Sequence, residues 1–170
     1  MSSESPAIRP CVNQTGTVAT SNAFNITVVL NPAGTLQRLY ANWAAGKFPA
    51  ATLGNPALEA SVWGLNANPD NDSVRNLLEM LFNSQPQTGE PSPLVVVKNA
   101  DATVSVTFPH NPSVPLTFIH VEWSDTMTSW LRTSVGYTVF TGTDGKEYIT
   151  ATVYPDAARK AIYLRIAVGL

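Results

Sequence analysis

Between Leu94 and Val168 the chain carries six short runs of β-type sequence, each closed by turn chemistry, and everything upstream has to pack against what they build. The runs are Leu94–Lys98, Thr103–Phe108, Leu116–Ser124, Tyr137–Thr141, Lys146–Tyr154 and Ala161–Val168, parted by turns such as Asn99-Ala-Asp and Thr143-Asp-Gly-Lys. A spacing of about ten residues suits an antiparallel sandwich of the immunoglobulin-like type. Val104, Val106 and Phe108 alternate with polar residues, as do Ile162, Leu164, Ile166 and Val168, which predicts one core-facing side per strand. Ser124-Asp-Thr-Met-Thr-Ser-Trp reads as a turn between strands, with Asp125 as its cap and Trp130 plugging the end of the sandwich.

The upstream half has a different period. Phe24-Asn-Ile-Thr-Val-Val-Leu is a firm strand after one or two weaker ones, closed by Asn31-Pro-Ala-Gly. From Thr35, an N-cap, to Gly46, a stop, Leu36, Leu39, Tyr40 and Trp43 fall at i, i+3, i+4 and i+7, the spacing of one face of a helix. Pro49, Gly54, Pro56 and Gly64 break Lys47–Leu65 into loops with one helical turn near Pro56–Ala60. Val74, Leu77, Leu78 and Leu81 then predict a second helix over Ser73–Asn83, ahead of Pro86. Gln85-Pro-Gln-Thr-Gly-Glu-Pro-Ser-Pro reads as a linker. The expected organisation is an N-terminal β segment over 1–34, a small two-helix subdomain over 35–90 and the sandwich over 91–170, a mainly β fold.

Only 13% of the residues are charged, and ten Lys+Arg stand against twelve Asp+Glu, so no basic surface exists to neutralise a phosphate backbone. Nucleic acid is excluded as an expected partner. The longest apolar stretches fall well short of the roughly twenty residues that cross a bilayer, so no membrane span is expected. Cys11 is the single cysteine, which excludes an internal disulfide and any multi-cysteine metal site. The opening Met-Ser-Ser-Glu-Ser-Pro lacks the pattern of a signal peptide, so a secreted chain beginning here would be a mature form.

One stretch concentrates chemistry. Asn68-Pro-Asp-Asn-Asp-Ser-Val-Arg-Asn-Leu-Leu-Glu places oxygen-bearing side chains at positions 1, 3, 5, 9 and 12 of a loop, the EF-hand positions for calcium, with a backbone carbonyl at position 7. The ligands expected from this spacing are Asn68, Asp70, Asp72, the Val74 carbonyl, Asn76 directly or through water, and Glu79. A hard cation wants six to eight oxygens at about 2.3–2.6 Å, and alternate residues of a tight loop turn inward to supply them. Asn68 stands where an Asp is usual, and Ser73 where Gly permits the sharp turn, predicting backbone strain at Ser73 and a weakened affinity. The other reading is a polar cap on the second helix, made by Asp72 or Ser73, with Glu79 exposed.

Trp43, Phe48-Pro-Ala-Ala, Leu53-Gly-Asn-Pro-Ala-Leu and Asn68–Phe82 together resemble a region near the C-termini of large secreted proteins of planctomycetes and verrucomicrobia. Members of that group typically show a Trp helix, a loop like Asp-Pro-Asp-Gly-Asp-Gly and the run Asn-Leu-Leu-Glu-Tyr-Ala-Leu-Gly. Downstream, Val121-Glu-Trp-Ser-Asp-Thr-Met-Thr-Ser-Trp is similar to its Val-Glu-Xaa-Ser-Xaa-Asp-Leu-Xaa-Xaa-Trp element, and Ala161–Val168 to its last strand, so the likeness spans about residues 40–170. The loop is similar to those of thrombospondin type 3 and dockerin repeats. The resemblance implies an extracellular, calcium-rich setting and a non-catalytic module.

No nucleophile, zinc, phosphate or dinucleotide motif occurs, and the two histidines, His110 and His120, sit apart from any metal-type spacing. Glu122 and Asp125 beside Trp123 and Trp130 have the residue types of a sugar-cleaving pair, but a capped turn explains them better. The expected function is a calcium-stabilised structural or adhesive module, secreted or at the cell surface, with another extracellular protein or a glycan as partner. A sharper version has Phe24, Ile26, Val28 and Leu30 leaving as an exchange arm that adds to a neighbour's sheet, building a homo-oligomer or filament. The alternative is a carbohydrate-binding module using Trp63 and Trp123 as sugar platforms.

Overall fold

The computed structural model describes residues 15–21, 24–29, 34–155 and 161–169. Cys11 and Leu30 lie outside the described residues. Helix α1, Gly34–Lys47, buries Leu36, Tyr40 and Ala44 and half-buries Leu39 and Trp43, the stripe expected from the spacing. Gly46 does not stop it. The helix runs on until Phe48 N donates to Ala44 O at 2.9 Å, and Pro49, which has no N–H to give and disfavours a helical residue before it, ends it.

The Pro- and Gly-broken stretch holds more helical structure than one turn. Helix α2, Ala50–Leu53, is followed by a 3-10 turn, Pro56–Leu58, where the Asn55 side chain accepts the Ala57 N–H at 3.1 Å. A π-type turn, Glu59–Trp63, follows and closes with Gly64 N on Glu59 O at 2.7 Å. A Cβ at residue 64 would meet that oxygen at 2.4 Å, so only glycine fits the close approach.

Helix α3, Asn76–Phe82, is shorter than the expected Ser73–Asn83. Asp72 Oδ1 accepts the Val74 N–H at 2.5 Å, spending it on a local turn, and Arg75 stays extended at φ −90, ψ 156. The helix ends at Asn83 in the left-handed region, φ 56, a conformation asparagine tolerates. Every residue of α3 is buried.

All six downstream runs form strands: β3 Val95–Lys98, β4 Val104–His110, β5 Ile119–Ser124, β6 Val135–Thr141, β7 Glu147–Val153 and β8 Tyr163–Val168. Upstream are β1 Thr15–Ser21 and β2 Phe24–Val29. They make two four-stranded sheets, β1-β2-β8-β5 and β3-β4-β7-β6. Pairing is antiparallel with one correction, since β2 lies parallel to β8, Phe24 opposite Leu164. Strands separated by most of the chain carry no hairpin constraint, so their relative direction is free.

Val106, Phe108, Ile149, Ala151 and Val153 of one sheet and Val121, Trp123, Leu164, Ile166 and Val168 of the other join α1 and α3 in one buried cluster. Phe82 meets Phe108 with ring centroids 5.7 Å apart. Asn111, just past β4, donates its N–H to Leu81 O at 2.8 Å and its Nδ2 to Met80 O at 3.0 Å, satisfying carbonyls at the end of α3. Phe108→Ala is therefore expected to lower the unfolding free energy by about 3–5 kcal/mol, read by urea denaturation.

Candidate metal centre

The acidic loop begins with a turn, Asn71 N to Asn68 O at 3.4 Å, that puts Asn71 in the left-handed region at φ 59. Strain was expected at Ser73, but the sharp bend falls two residues earlier, on a residue type that accepts it, and Ser73 is not among the positive-φ residues. The loop is thus not a copy of the EF-hand backbone. It nevertheless brings Asp70, Asp72 and Glu79 together, with one carboxylate oxygen of each within 4.8 Å of the others.

The hydrogen bonds show which oxygens are already used. Asp72 accepts Val74 N on Oδ1 and Glu90 N on Oδ2, the latter at 3.1 Å, and Asp70 Oδ1 accepts Asp72 N at 3.3 Å. Asn68 Nδ2 donates to Asp72 O at 2.6 Å. Glu79 Oε1 has only a long contact from Ser84 Oγ, 3.5 Å. Four buried side-chain oxygens remain without a hydrogen-bond partner: Asn68 Oδ1, Asp70 Oδ2, Asn76 Oδ1 and Glu79 Oε2. Glu79 is 1% exposed, so this is a buried carboxylate rather than the exposed residue of a simple helix cap. Neither Asp72 nor Ser73 caps α3, because Arg75 holds the N-cap position with no side-chain bond.

The nitrogens of two expected ligands, Asn76 and Val74, are engaged. The Asn76 amide donates to Val62 O at 2.8 Å and Gly64 O at 3.0 Å, so its nitrogen ties α3 to the π-type turn. Val74 is buried at 4%, its N–H held by Asp72.

The electrostatics follow from the crowding. Burial first, then the charges of Asp70 and Asp72, push the Glu79 carboxyl up to about 8 from its ordinary 4.5. Asp70 is also raised, chiefly by burial and against N–H bonds that oppose it. Three carboxylates this close in a partly dry niche need a proton or a cation between them. The donors are all oxygen, which suits a hard ion such as Ca2+ and not a thiolate- or imidazole-seeking one.

The other candidates resolve by burial. Trp123 is 3% exposed, with Nε1 on Thr133 O at 2.8 Å, so it is a core residue and offers no face to a sugar. Trp63 is half-buried, with Nε1 on Asn55 O at 3.1 Å. Glu122, buried at 4%, is clamped by Arg132 Nε at 2.7 Å and Arg165 Nε at 2.5 Å, and Trp130 lies over the Arg165 guanidinium at 4.3 Å. In the turn that follows, Ser124 Oγ accepts the N–H groups of Thr126 and Met127, the capping role expected of Asp125. His110 is buried, paired through Nδ1 with Glu147 and through Nε2 with Val114 O at 2.9 Å, while His120 bonds Gly169 O at 3.0 Å. The pairs Glu122–Arg165 and His110–Glu147 are cross-strand neighbours, visible only once the register is known. The strand expected to act as an exchange arm lies beside β8 of its own chain.

No family model matches the chain, and no curated protein matches it either. No helix among the described residues is long and apolar enough to cross a membrane.

The sign of the pH dependence follows from the raised Glu79 carboxyl. Without metal its neutral form favours the fold, a contribution fully present below about 4.5 and lost as the pH climbs through about 8. The metal-free melting midpoint is expected to fall over that window, and to fall less in Glu79→Gln. Calcium binding near neutral pH should release about one proton per ion, read by calorimetry in buffers of different ionisation enthalpy.

Proposed function

We propose that this chain is a non-catalytic, calcium-stabilised structural module of a secreted or cell-surface protein, built as an immunoglobulin-like sandwich with a small helical subdomain. One observation carries the reading: the unpartnered Oε2 of Glu79, 1% exposed, beside two further carboxylates. A lone carboxylate in that position is costly unless a counter-charge arrives. The resemblance to the calcium-loop region of large secreted bacterial proteins supports the same ion and the same setting. The non-catalytic reading is supported by Glu122, the carboxylate best placed in sequence for acid–base work, which is held between two guanidinium groups.

Binding to the native state alone would stabilise it by about 2.7 kcal/mol at a calcium concentration a hundred times the dissociation constant, raising the midpoint by roughly 5–10 °C. Differential scanning fluorimetry at rising calcium checks this. Asp70→Asn and Glu79→Gln should each abolish most of the shift, and an unmoved midpoint at millimolar calcium would sink the proposal.

Self-association is a second reading with its own observation. The edge strand β6 carries no charge and no proline along Val135–Thr141, and Tyr137, Val139 and Phe140 are 47%, 40% and 44% exposed. Edge strands are usually guarded by such residues. Sedimentation velocity should show concentration-dependent association that Val139→Lys abolishes, and a strict monomer at high concentration counts against it.

A further inference from the structure

The stretch read from sequence as a linker does not run free. Its start is anchored by the buried Pro86, while Gln87–Glu90 are exposed. Lys47 Nζ donates to Gln85 Oε1 at 3.1 Å, and Gln87 Nε2 donates back to Lys47 O at 2.8 Å. The segment then crosses the acidic loop. The Thr88 N–H turns back onto Gln85 O at 3.3 Å, and Glu90 gives its N–H to Asp72 Oδ2 at 3.1 Å. Between them a Cβ on Gly89 would lie 3.6 Å from Asp70 O, so the backbone is in close contact with the loop.

The geometry points to Ser84–Glu90 as a strap latched by the cation: the ion that fills the oxygens of Asp70 and Glu79 also orients Asp72, the carboxylate that receives the strap's Glu90 amide. This rests on the metal reading above and adds a prediction that reading does not make. Exposed residues with few buried contacts have low local stability, and past Gln87, which Lys47 O holds, the hydrogen bond that ties the strap to the acidic loop is Glu90 N on Asp72 Oδ2. Without an ion, the three carboxylates repel or rearrange and the acceptors lose their fixed positions. With it, Asp72 is both ligand and anchor, and the strap leads into β3 only a few residues later. Because the coupling is between two equilibria, it is reciprocal, and weakening the strap must weaken the ion.

The test is amide hydrogen exchange on the full chain, in excess calcium and in excess chelator, with calcium binding measured separately by calorimetry. The expected result is that the Glu90 amide exchanges at least about tenfold faster in chelator. Glu90→Pro, which deletes the donor to Asp72, should raise the calcium dissociation constant by about tenfold, the scale of one hydrogen bond to a charged group, whereas Glu90→Gln, which keeps the N–H, should raise it much less. Calcium binding with unchanged exchange at Glu90 would overturn the strap and leave the metal site standing. No binding at all would remove both. The exchange measurement uses the unaltered chain, so it decides even where Glu90→Pro fails to fold.

Discussion

Glu79 is the constraint around which this half of the molecule is organised. It sits on the one helix whose every residue is buried, and one of its oxygens has no hydrogen-bond partner. Every charge acting on it is negative, from Asp70, Asp72 and Glu90. A helix packed on all sides cannot turn to expose the group, because Leu77, Leu78, Met80, Leu81 and Phe82 fix its rotation against α1 and β4. The carboxyl must be neutralised in place, by a proton or by a cation.

The molecule solves the same problem differently elsewhere. Glu122 is buried to a similar degree in β5, but Arg132 and Arg165 supply the counter-charge from within the chain, and the tryptophan face over Arg165 shields the pair. Cross-strand register delivers that partner, since Glu122 stands opposite Arg165. Among the described residues, no basic group gives Glu79 such a partner. The difference between a carboxylate with a built-in partner and one without separates a structural ion pair from a candidate cation site, and it rests on geometry rather than on the number of acidic residues.

That geometry is not the linear twelve-residue plan. The bend falls at Asn71, the Asn76 nitrogen is held by Val62 and Gly64 while its Oδ1 has no partner, and Glu90 of the return stretch 84–90 supplies an N–H to Asp72. The niche is assembled from a loop, a buried helix and a strap, so anything that orders one orders the others.

The period of the apolar residues determined much by itself: the two helices, the six downstream strands and the alternation that faces Val106, Phe108, Leu164 and Ile166 inward all follow from local spacing, which a folded chain can satisfy in few ways. The clustering of Asp70, Asp72 and Glu79 was legible for the same reason, since loop and helix spacing are local. What only the tertiary structure decided was long-range. Trp123 went into the core rather than onto the surface, Asn76 turned to carbonyls in another turn, Glu122 met Arg165 across a register, β2 lay parallel to β8, and the polar linker folded back onto the acidic loop. Each of these depends on which segments meet across tens of residues, and periodicity carries no information about that. The sequence determines where the carboxylates converge, and the packing decides that one of them is buried with an oxygen that no donor in the described residues reaches.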